Sequence, residues 1–196
     1  MLSKGGANKK RPAVFLDRDG TLNYERDHLR RSRDLRLLPG ATRAVKALND
    51  AGFLVVVVTN QAAIAKGILT EDELHTIHSD LLDRLSGRGA RIDAIYYCPH
   101  HVDGIVTRYR IRCRCRKPGI GMITKAAKDL NIDLKKSYMV GDMTGDIALG
   151  ERAKLTTILV RTGYAGGDKR FDIRPDFTAR NLHEAVTFIK KYAKRR

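Results

Sequence analysis

The chain has 196 residues, a length that suits one globular domain whose core needs no disulfide staples. Its longest apolar run, residues 53–58, is far shorter than the roughly 20 residues that a membrane-spanning helix needs, and no apolar signal-peptide core lies near the N-terminus. The formal net charge is +16, and nearly all of the surplus lies in residues 1–11, 108–117 and 190–196. We therefore predict a cytoplasmic protein with a disordered basic tail at residues 1–11 and a single domain at residues 12–196.

The first half of the chain alternates strand and helix patterns. Residues 13–17, AVFLD, are predicted to form a buried parallel strand that ends in a carboxylate, and the long polar stretch 18–38 is typical of a functional loop. A helix pattern and a second strand, residues 53–58, follow. Thr70 and Glu73 predict a capping box at the start of the next helix. The predicted buried stripe of that helix is Leu74, Ile77, Leu81, Leu82 and Leu85.

The second half of the chain continues this alternation. Further strands are predicted at residues 92–97, 138–140 and 156–160, and helices near residues 122–130, 147–153 and 182–192. Alternating strands and helices predict an α/β fold with a doubly wound parallel sheet. Ligands of such sheets bind beyond the carboxyl ends of the strands, so we expect the polar residues Asp17, Thr59 and Asp142 to share one site.

The segment DRDGT, which begins at Asp17, carries two carboxylates just past a buried strand. Asp17 and Asp19 can share a dry site only if a cation is present or one of them is protonated, because like charges repel. Oxygen ligands of this kind suit a hard divalent ion such as Mg²⁺. Gly20 allows the backbone to turn sharply beside a ligand. An ordinary Asp-Gly turn is the alternative interpretation.

Three further segments carry groups that could bind a metal ion or a phosphate. Asp142 and Asp146 are one helical turn apart in GDMTGD and could both face the cation. Thr59 and Asn60 follow another strand, where a hydroxyl and backbone N–H groups could hold phosphate oxygens. Lys117, in the segment RKP, could supply positive charge to a phosphate.

The segments DRDGT, TNQ, RKP and GD…D, in this order and spacing, resemble those of the haloacid-dehalogenase-like (HAD-like) phosphohydrolases. The resemblance implies a Rossmann-like fold in which Asp17 is the nucleophile that forms an aspartyl phosphate and Asp19 is the general acid–base. It also implies that Asp17, Asp142 and the backbone carbonyl of Asp19 hold Mg²⁺, with Asp146 supporting the metal's surroundings. The substrate-binding residues that we predict are Thr59, Asn60, Arg116 and Lys117.

All three cysteines lie in one loop, residues 98–115, together with a histidine pair. Their pattern, C-x-H-x12-C-x-C, suits a tetrahedral Zn²⁺ bound by three sulfurs and one nitrogen. The ligands that we predict are Cys98, His100, Cys113 and Cys115. His101 is the alternative nitrogen ligand, and three loose thiols beside solvated histidines are the alternative without metal. A zinc ion here would be structural, because it would hold a loop that has no core of its own.

The cysteine loop and its neighbouring segments indicate a narrower group within the HAD-like phosphohydrolases. YYCPHH, CRCRKP, YMVGD and TNQAAIAKG are similar to segments of the heptose-bisphosphate phosphatases, which share the zinc loop with the histidinol-phosphate phosphatases. The resemblance implies that no large cap domain is present and that His100 is the zinc ligand. It further implies Mg²⁺-dependent removal of the 7-phosphate from D-glycero-D-manno-heptose 1,7-bisphosphate, in heptose or lipopolysaccharide biosynthesis.

Arginines alternate with the cysteines in residues 112–116, so in an extended segment the two side-chain types would point to opposite faces and Arg116 would lie near the site. We predict a monomer that binds a phosphorylated sugar and no membrane. Two alternatives remain: hydrolysis of histidinol phosphate, and a nucleic-acid partner, with 3′-phosphate ends as substrate or with binding alone. The charge of +16 supports the nucleic-acid alternative, whereas the complete catalytic set argues against binding alone.

Overall fold

Six strands form one parallel sheet in the computed structural model, which describes residues 9–194 of the chain. The strands are β1 (Ala13–Leu16), β2 (Leu54–Asn60), β3 (Ala94–Cys98), β4 (Tyr138–Gly141), β5 (Thr156–Val160) and β6 (Phe177–Ala179). Their order across the sheet is β3-β2-β1-β4-β5-β6, and every neighbouring pair is parallel. The order changes direction between β1 and β4, the point at which sheets of this class bind ligands.

Helices cover both faces of this sheet. They are α1 (Ala41–Asp50), α2 (Ala62–Ala65), α3 (Glu71–Ser86), α4 (Gly121–Asp129), α5 (Thr144–Arg152) and α6 (Leu182–Ala193). Helices α1, α3 and α6 pack with Val14 and Leu16 of β1, whereas α4 and α5 pack with Ala13 and Phe15 on the opposite face. Strand β1 is therefore buried on both sides, as a central parallel strand should be. The predicted doubly wound α/β fold is confirmed.

The long connections above the strand ends carry little regular structure. Residues 17–40 and 99–120 contain only the short 3₁₀ turns Ser32–Asp34 and Thr107–Tyr109. Within residues 9–194 no large cap domain covers the strand ends, as the resemblance implied. None of the helices in this part of the chain is long and apolar enough to cross a membrane.

The predicted details of α3 are partly confirmed, and two short elements were not predicted. The capping box of α3 is confirmed. Thr70 Oγ1 accepts from Glu73 N at 3.1 Å, and the Glu73 carboxylate accepts from Thr70 N. The predicted burial of Leu82 is wrong, because its side chain is 36% exposed and His78 occupies the buried face instead. Helix α2 and strand β6 escape prediction because four and three residues are too short to show a period.

The described structure begins within the predicted basic tail. Residues 1–8, most of the predicted disordered tail, lie outside the described residues, as do residues 195–196. Arg11 is already part of the structure: it forms an isolated bridge with Ile132, and its carbonyl oxygen accepts from Asp133 N at 2.8 Å. The division into a tail and a single domain stays a prediction.

Candidate active site

Four buried charged side chains meet beyond the ends of β1 and β4. Asp17 follows β1, Asp142 follows β4, and Asp146 lies in the first turn of α5, and their carboxylate oxygens lie within 4.8 Å of one another. The Nζ atom of Lys117 is 2.8 Å from Asp17 Oδ2 and 2.6 Å from Asp146 Oδ1. It also donates to the carbonyl oxygen of Val58 at 3.1 Å. All three N–H donors of Lys117 are thus used inside the site.

The charges of this cluster do not balance, since three carboxylates face one ammonium. Burial raises the pKa of Asp17 to about 7, against the opposing effect of the Lys117 charge. Burial and the charges of Asp17 and Asp146 raise the pKa of Asp142 to about 8. Burial lowers the pKa of Lys117, but the carboxylates of Asp146 and Asp17 raise it by more. The surplus of negative charge is what a bound cation would neutralise.

The surroundings of Asp142 also fit a metal ion. Its Oδ2 accepts from Tyr164 N at 2.7 Å, whereas its buried Oδ1 has no hydrogen-bond partner among the described residues. Gly20 and Gly163 both have positive φ, at 75° and 59°, and a Cβ at either position would overlap the Asp142 carboxylate. The two glycines therefore allow the backbone to approach Asp142 closely, and the donor set of Asp17, Asp142 and Asp146 suits a hard divalent cation.

Asp19 has a different environment from these carboxylates. The guanidinium of Arg18 donates to both of its oxygens, Nη2 to Oδ2 at 2.6 Å and Nε to Oδ1 at 3.2 Å. Asn23 and Gln61 donate to Asp19 as well, at 2.8 and 3.1 Å. Burial raises the pKa of Asp19, but Arg18 and the amide donors together lower it by more. The pKa of Asp19 therefore lies below its usual value. The Asp19 carboxylate thus lies outside the metal-type cluster, and only its backbone carbonyl remains for the predicted contact with Mg²⁺.

The end of β2 contributes an amide-rich segment. The buried Thr59 Oγ1 accepts from Gln61 Nε2 at 2.9 Å. Asn60 bonds the backbone of Lys117 and so holds the lysine loop against β2. Sequence reasoning named Thr59 and Asn60 but missed Gln61, which touches Thr59, Arg18 and Asp19. Its place in the TNQ segment was the available signal.

The four predicted zinc ligands come together in one cluster. The Sγ atoms of Cys98, Cys113 and Cys115 lie 3.0 to 3.5 Å apart, and His100 Nδ1 is 3.4 Å from Cys115 Sγ. His101 stays outside, where its Nδ1 accepts from the backbone of Asp103. The hydrogen bond between Cys115 and Cys98 lowers the pKa of Cys115 to about 5. Three sulfurs and one nitrogen in this arrangement suit a tetrahedral ion.

The cysteine cluster and the carboxylate cluster are joined by one short segment. Arg116 donates from its backbone N to Cys113 Sγ at 3.4 Å and from Nη1 to the carbonyl oxygen of His100 at 3.3 Å. Lys117, which pairs with Asp17, is the next residue along the chain. The alternation expected here is seen in part, because Arg114 is exposed whereas the cysteines and Arg116 are half-buried.

Charged groups of both signs surround the mouth of the site. Burial, followed by the charges of Asp19 and Asp17, raises the pKa of Glu25 to about 8. In the cysteine loop, burial lowers the pKa of His101, and the nearby charges of Arg116, Lys66 and Arg170 act in the same direction. A positive region therefore lies beside the carboxylates, on the side of the cysteine loop.

Comparison with known proteins identifies the family of the chain. A family model described as HAD-hydrolase-like matches residues 114–185. The chain is 41% identical to the D-glycero-D-manno-heptose-1,7-bisphosphate 7-phosphatase of Thermosynechococcus vestitus over 187 residues, which cover 91% of this chain and 95% of that protein. It is 42% identical to the D-glycero-beta-D-manno-heptose-1,7-bisphosphate 7-phosphatase of Rhodopseudomonas palustris over 144 residues, covering 74% of this chain and 80% of the relative.

A solved structure agrees with the sequence relatives. The D,D-heptose 1,7-bisphosphate phosphatase from B. bronchiseptica, crystallised with magnesium and phosphate, superimposes with a TM-score of 0.83 at 28% identity. The match covers 92% of this chain and 99% of that structure. With the carboxylate and cysteine clusters in place and relatives of this identity over most of its length, the chain belongs to the heptose-1,7-bisphosphate 7-phosphatase family of HAD-like hydrolases.

Proposed function

We propose that this chain is a Mg²⁺-dependent phosphatase that removes the 7-phosphate of D-glycero-D-manno-heptose 1,7-bisphosphate through an aspartyl-phosphate intermediate. The observation that carries the proposal is the buried ion pair between Lys117 Nζ and Asp17 Oδ2, 2.8 Å long, inside a cluster of carboxylates at the switch point of the sheet. A nucleophile needs such a charge beside it, because a bare carboxylate repels an anionic phosphate ester. The names of the sequence relatives supply the sugar.

Asp17 would act as the nucleophile. One of its carboxylate oxygens attacks the phosphorus, the bond between phosphorus and the ester oxygen breaks, and the sugar leaves as an alcohol. Asp17 Oδ1 is held by the backbone N–H of Arg18 at 2.7 Å, and Oδ2 is held by Lys117. The carboxylate is therefore fixed before the substrate arrives, which lowers the entropic cost of the attack.

Asp19 would move the protons of both steps. It gives a proton to the departing alkoxide oxygen and then takes a proton from the water that hydrolyses the aspartyl phosphate. After the second step Asp17 is a free carboxylate again and inorganic phosphate is released. The bonds from Arg18, Asn23 and Gln61 fix the orientation of Asp19 and favour its ionised form, which suits the second step.

Lys117 and Thr59 would hold the phosphoryl oxygens. Lys117 is pulled toward the site by Asp17 and Asp146, and its ammonium would neutralise charge that develops on the transferred group. The side chain of Asn60 is occupied by the Lys117 backbone, so we assign Asn60 the task of positioning the lysine loop. Its backbone remains for the substrate contact predicted from the sequence.

Two metal ions complete the proposal. Mg²⁺ would be held by Asp17, Asp142 and the Asp19 carbonyl, and when bound it supplies positive charge to the phosphoryl oxygens. Zn²⁺ would be held by Cys98, His100, Cys113 and Cys115, as a structural ion. The cysteine cluster would then fix the loop that presents Arg116 and Lys117.

The second phosphate of the substrate would bind at the positive side of the mouth. Arg116, Lys66 and Arg170 contribute charge there, next to His101. A substrate with one phosphate at the carboxylates and another several carbon atoms away suits this arrangement, whereas the ammonium of histidinol phosphate would be repelled. We propose Arg116 as the main contact, because its guanidinium is already oriented by the His100 carbonyl.

A turnover screen tests the proposal. Heptose 1,7-bisphosphate, histidinol phosphate and a 3′-phosphorylated oligonucleotide would be compared at equal low concentrations, with and without Mg²⁺. We expect the heptose bisphosphate to have the highest kcat/KM, and only with Mg²⁺ present. Faster hydrolysis of histidinol phosphate or of the oligonucleotide would show that another substrate was selected. A cytoplasmic location and a monomeric state stay predictions, which fractionation and light scattering would check.

A further inference from the structure

The buried guanidinium of Arg18 is the starting point, since it is a charge in the interior. Arg18 is only 1% exposed and is among the largest fully buried side chains of the described residues. An arginine in this position is destabilising unless its donors are bonded. Nε and Nη2 bond Asp19, and Nη2 also bonds Gln61. One side of the guanidinium, the Nη1 side, remains to be satisfied.

His78 of α3 occupies that remaining side. Its Nε2 lies 3.2 Å from Arg18 Nη1. Within residues 9–194, this nitrogen is the acceptor for the Nη1 group. Arginine can only donate, so His78 Nε2 must be the unprotonated nitrogen of a neutral ring. Burial and the Arg18 charge lower the pKa of His78 to about 3, which agrees with a neutral ring. The imidazole is itself buried, and its ring lies 5.9 Å from the ring of Tyr97.

We propose that His78 is a positioning residue for the acid–base step, acting through Arg18 on the carboxylate of Asp19. The inference rests on the proposed function, in which Asp19 transfers the proton. His78, Arg18 and Asp19 form a continuous line of hydrogen bonds from the core of α3 to the reacting groups. Asn23 and Gln61 each give Asp19 one further bond, but Arg18 is the partner that contacts both carboxylate oxygens, so the orientation of the carboxylate depends on the orientation of the guanidinium.

The role follows from how a guanidinium fixes a carboxylate. Arg18 contacts Asp19 through two parallel N–H bonds, so a rotation of the guanidinium turns the carboxylate with it. Removing the acceptor at His78 leaves Nη1 unbonded in the core and favours rotation of Arg18 toward another acceptor. A shift of about 1 Å at a catalytic group can reduce rates by about two orders of magnitude. The step affected would be proton transfer, not substrate binding.

The experiment compares two substrates that differ in how much they need a proton. A sugar phosphate ester has a poor leaving group that must be protonated, whereas p-nitrophenyl phosphate has a good leaving group that needs little help. His78→Asn removes the acceptor at the ε position, and His78→Gln keeps an acceptor near that position. The leaving group is followed in a single turnover, because hydrolysis of the aspartyl phosphate is common to both substrates. For His78→Asn we expect the rate of sugar release at saturating bisphosphate to fall about 10- to 100-fold, with the half-saturating concentration nearly unchanged and release of p-nitrophenol little affected.

His78→Gln should restore most of the activity toward the bisphosphate. A matched control is His75→Asn, three positions earlier on an exposed part of α3, where the imidazole bonds Tyr97 and does not touch Arg18. It should leave both substrates unaffected. Equal losses on both substrates in His78→Asn, or wild-type kinetics in that folded variant, would overturn the positioning role. His78→Leu, with unfolding monitored by circular dichroism, repeats the comparison without a polar group.

Asp19→Asn, measured in parallel, separates this inference from the proposed function. If Asp19→Asn slows single-turnover release of the sugar far more than release of p-nitrophenol and His78→Asn does not, the His78 role is wrong and the Asp19 role stands. If Asp19→Asn slows the release of the two leaving groups equally, the general-acid role of Asp19 fails, and the role of His78 fails with it.

Discussion

Asn60 and Lys117 hold each other by two hydrogen bonds between the end of β2 and the loop before α4. Lys117 N donates to Asn60 Oδ1 at 3.0 Å, and Asn60 Nδ2 is 3.5 Å from the Lys117 carbonyl oxygen. The side chain of Lys117 then turns inward to Asp17 and Asp146. Asn60, which the sequence predicts to bind substrate through its backbone, therefore uses its side chain to place the lysine.

This relationship predicts the effect of Asn60→Ala. Loss of the amide should release the backbone of Lys117 and reduce kcat by about tenfold or more, since the ammonium is no longer held at the reacting group. Stability should fall by about 1–3 kcal/mol, because a partly buried N–H loses its acceptor. Steady-state kinetics and urea unfolding measure the two effects. A rise in KM alone, at unchanged kcat, would instead indicate that Asn60 contacts the substrate directly.

Asp17→Asn should abolish turnover without loss of the fold. An amide has nearly the same shape as a carboxylate but is a poor nucleophile and a poor metal ligand. Turnover is measured with the best substrate of the screen, and folding is checked by circular dichroism. Near-wild-type activity in the folded variant would exclude the covalent mechanism.

The raised carboxyl pKa values predict how the stability of the metal-free protein changes with pH. Asp17 and Asp142 have an ordinary pKa of 3.8, and the folded protein raises these values to about 7 and about 8. Above about pH 6.5 the folded chain still holds carboxyl protons that the unfolded chain has released. The free energy of unfolding should therefore fall between about pH 6.5 and 8.5, measured by urea denaturation after treatment with a chelator.

Two additions test the origin of this slope. Asp142→Asn should make it shallower, because one of the three carboxyl groups with a raised pKa, Asp17, Glu25 and Asp142, no longer titrates. Mg²⁺ should stabilise the folded protein more at the upper end of the range, where the carboxylates that bind it are ionised. A free energy of unfolding that is constant or rises over this range would contradict the pKa values.

The cysteine cluster predicts one tightly bound zinc ion per chain. Protein purified without added metal should contain zinc by elemental analysis, and Cys113→Ser should lose it and become less stable. Activity should fall in this variant because Arg116 and Lys117 follow the cluster directly in the chain. His101→Ala is the matched control, since His101 lies outside the cluster and should leave the zinc content unchanged. An active, stable chain purified without zinc would be inconsistent with this role.

Arg116→Ala should act on the bisphosphate selectively. A charge-assisted hydrogen bond contributes about 1.5–3 kcal/mol, so kcat/KM should fall by about one to two orders of magnitude. Hydrolysis of p-nitrophenyl phosphate should change much less. Arg110→Ala, in the exposed part of the same loop, is the matched control for the loss of one positive charge. Equal losses on both substrates would place Arg116 at the transferred phosphate instead.

The parts of the site that follow from the sheet or from close spacing could be predicted from the sequence. Asp17 and Asp142 follow apolar strand patterns, and in a parallel sheet such residues meet at one edge. The cysteine cluster could be predicted because its ligands form two close pairs. His78 could not, because its role arises from the packing of α3 against the loop after β1. An apolar pattern assigns that face of α3 to leucines, and nothing local distinguishes a histidine that binds a buried arginine.

The pairing of β1 with β4 has a consequence for how the protein is made. The two strands are distant in the chain: Ala13 N donates to Ser137 Oγ across 124 positions, and Leu16 pairs with Val140. Contacts of this range form late in folding, because a long loop must close first. Asp17 and Asp142 therefore come together only when β4 pairs with β1, and until then β1 has one edge without a partner. A nascent or truncated chain that lacks β4 would expose this apolar edge, which is a template for aggregation.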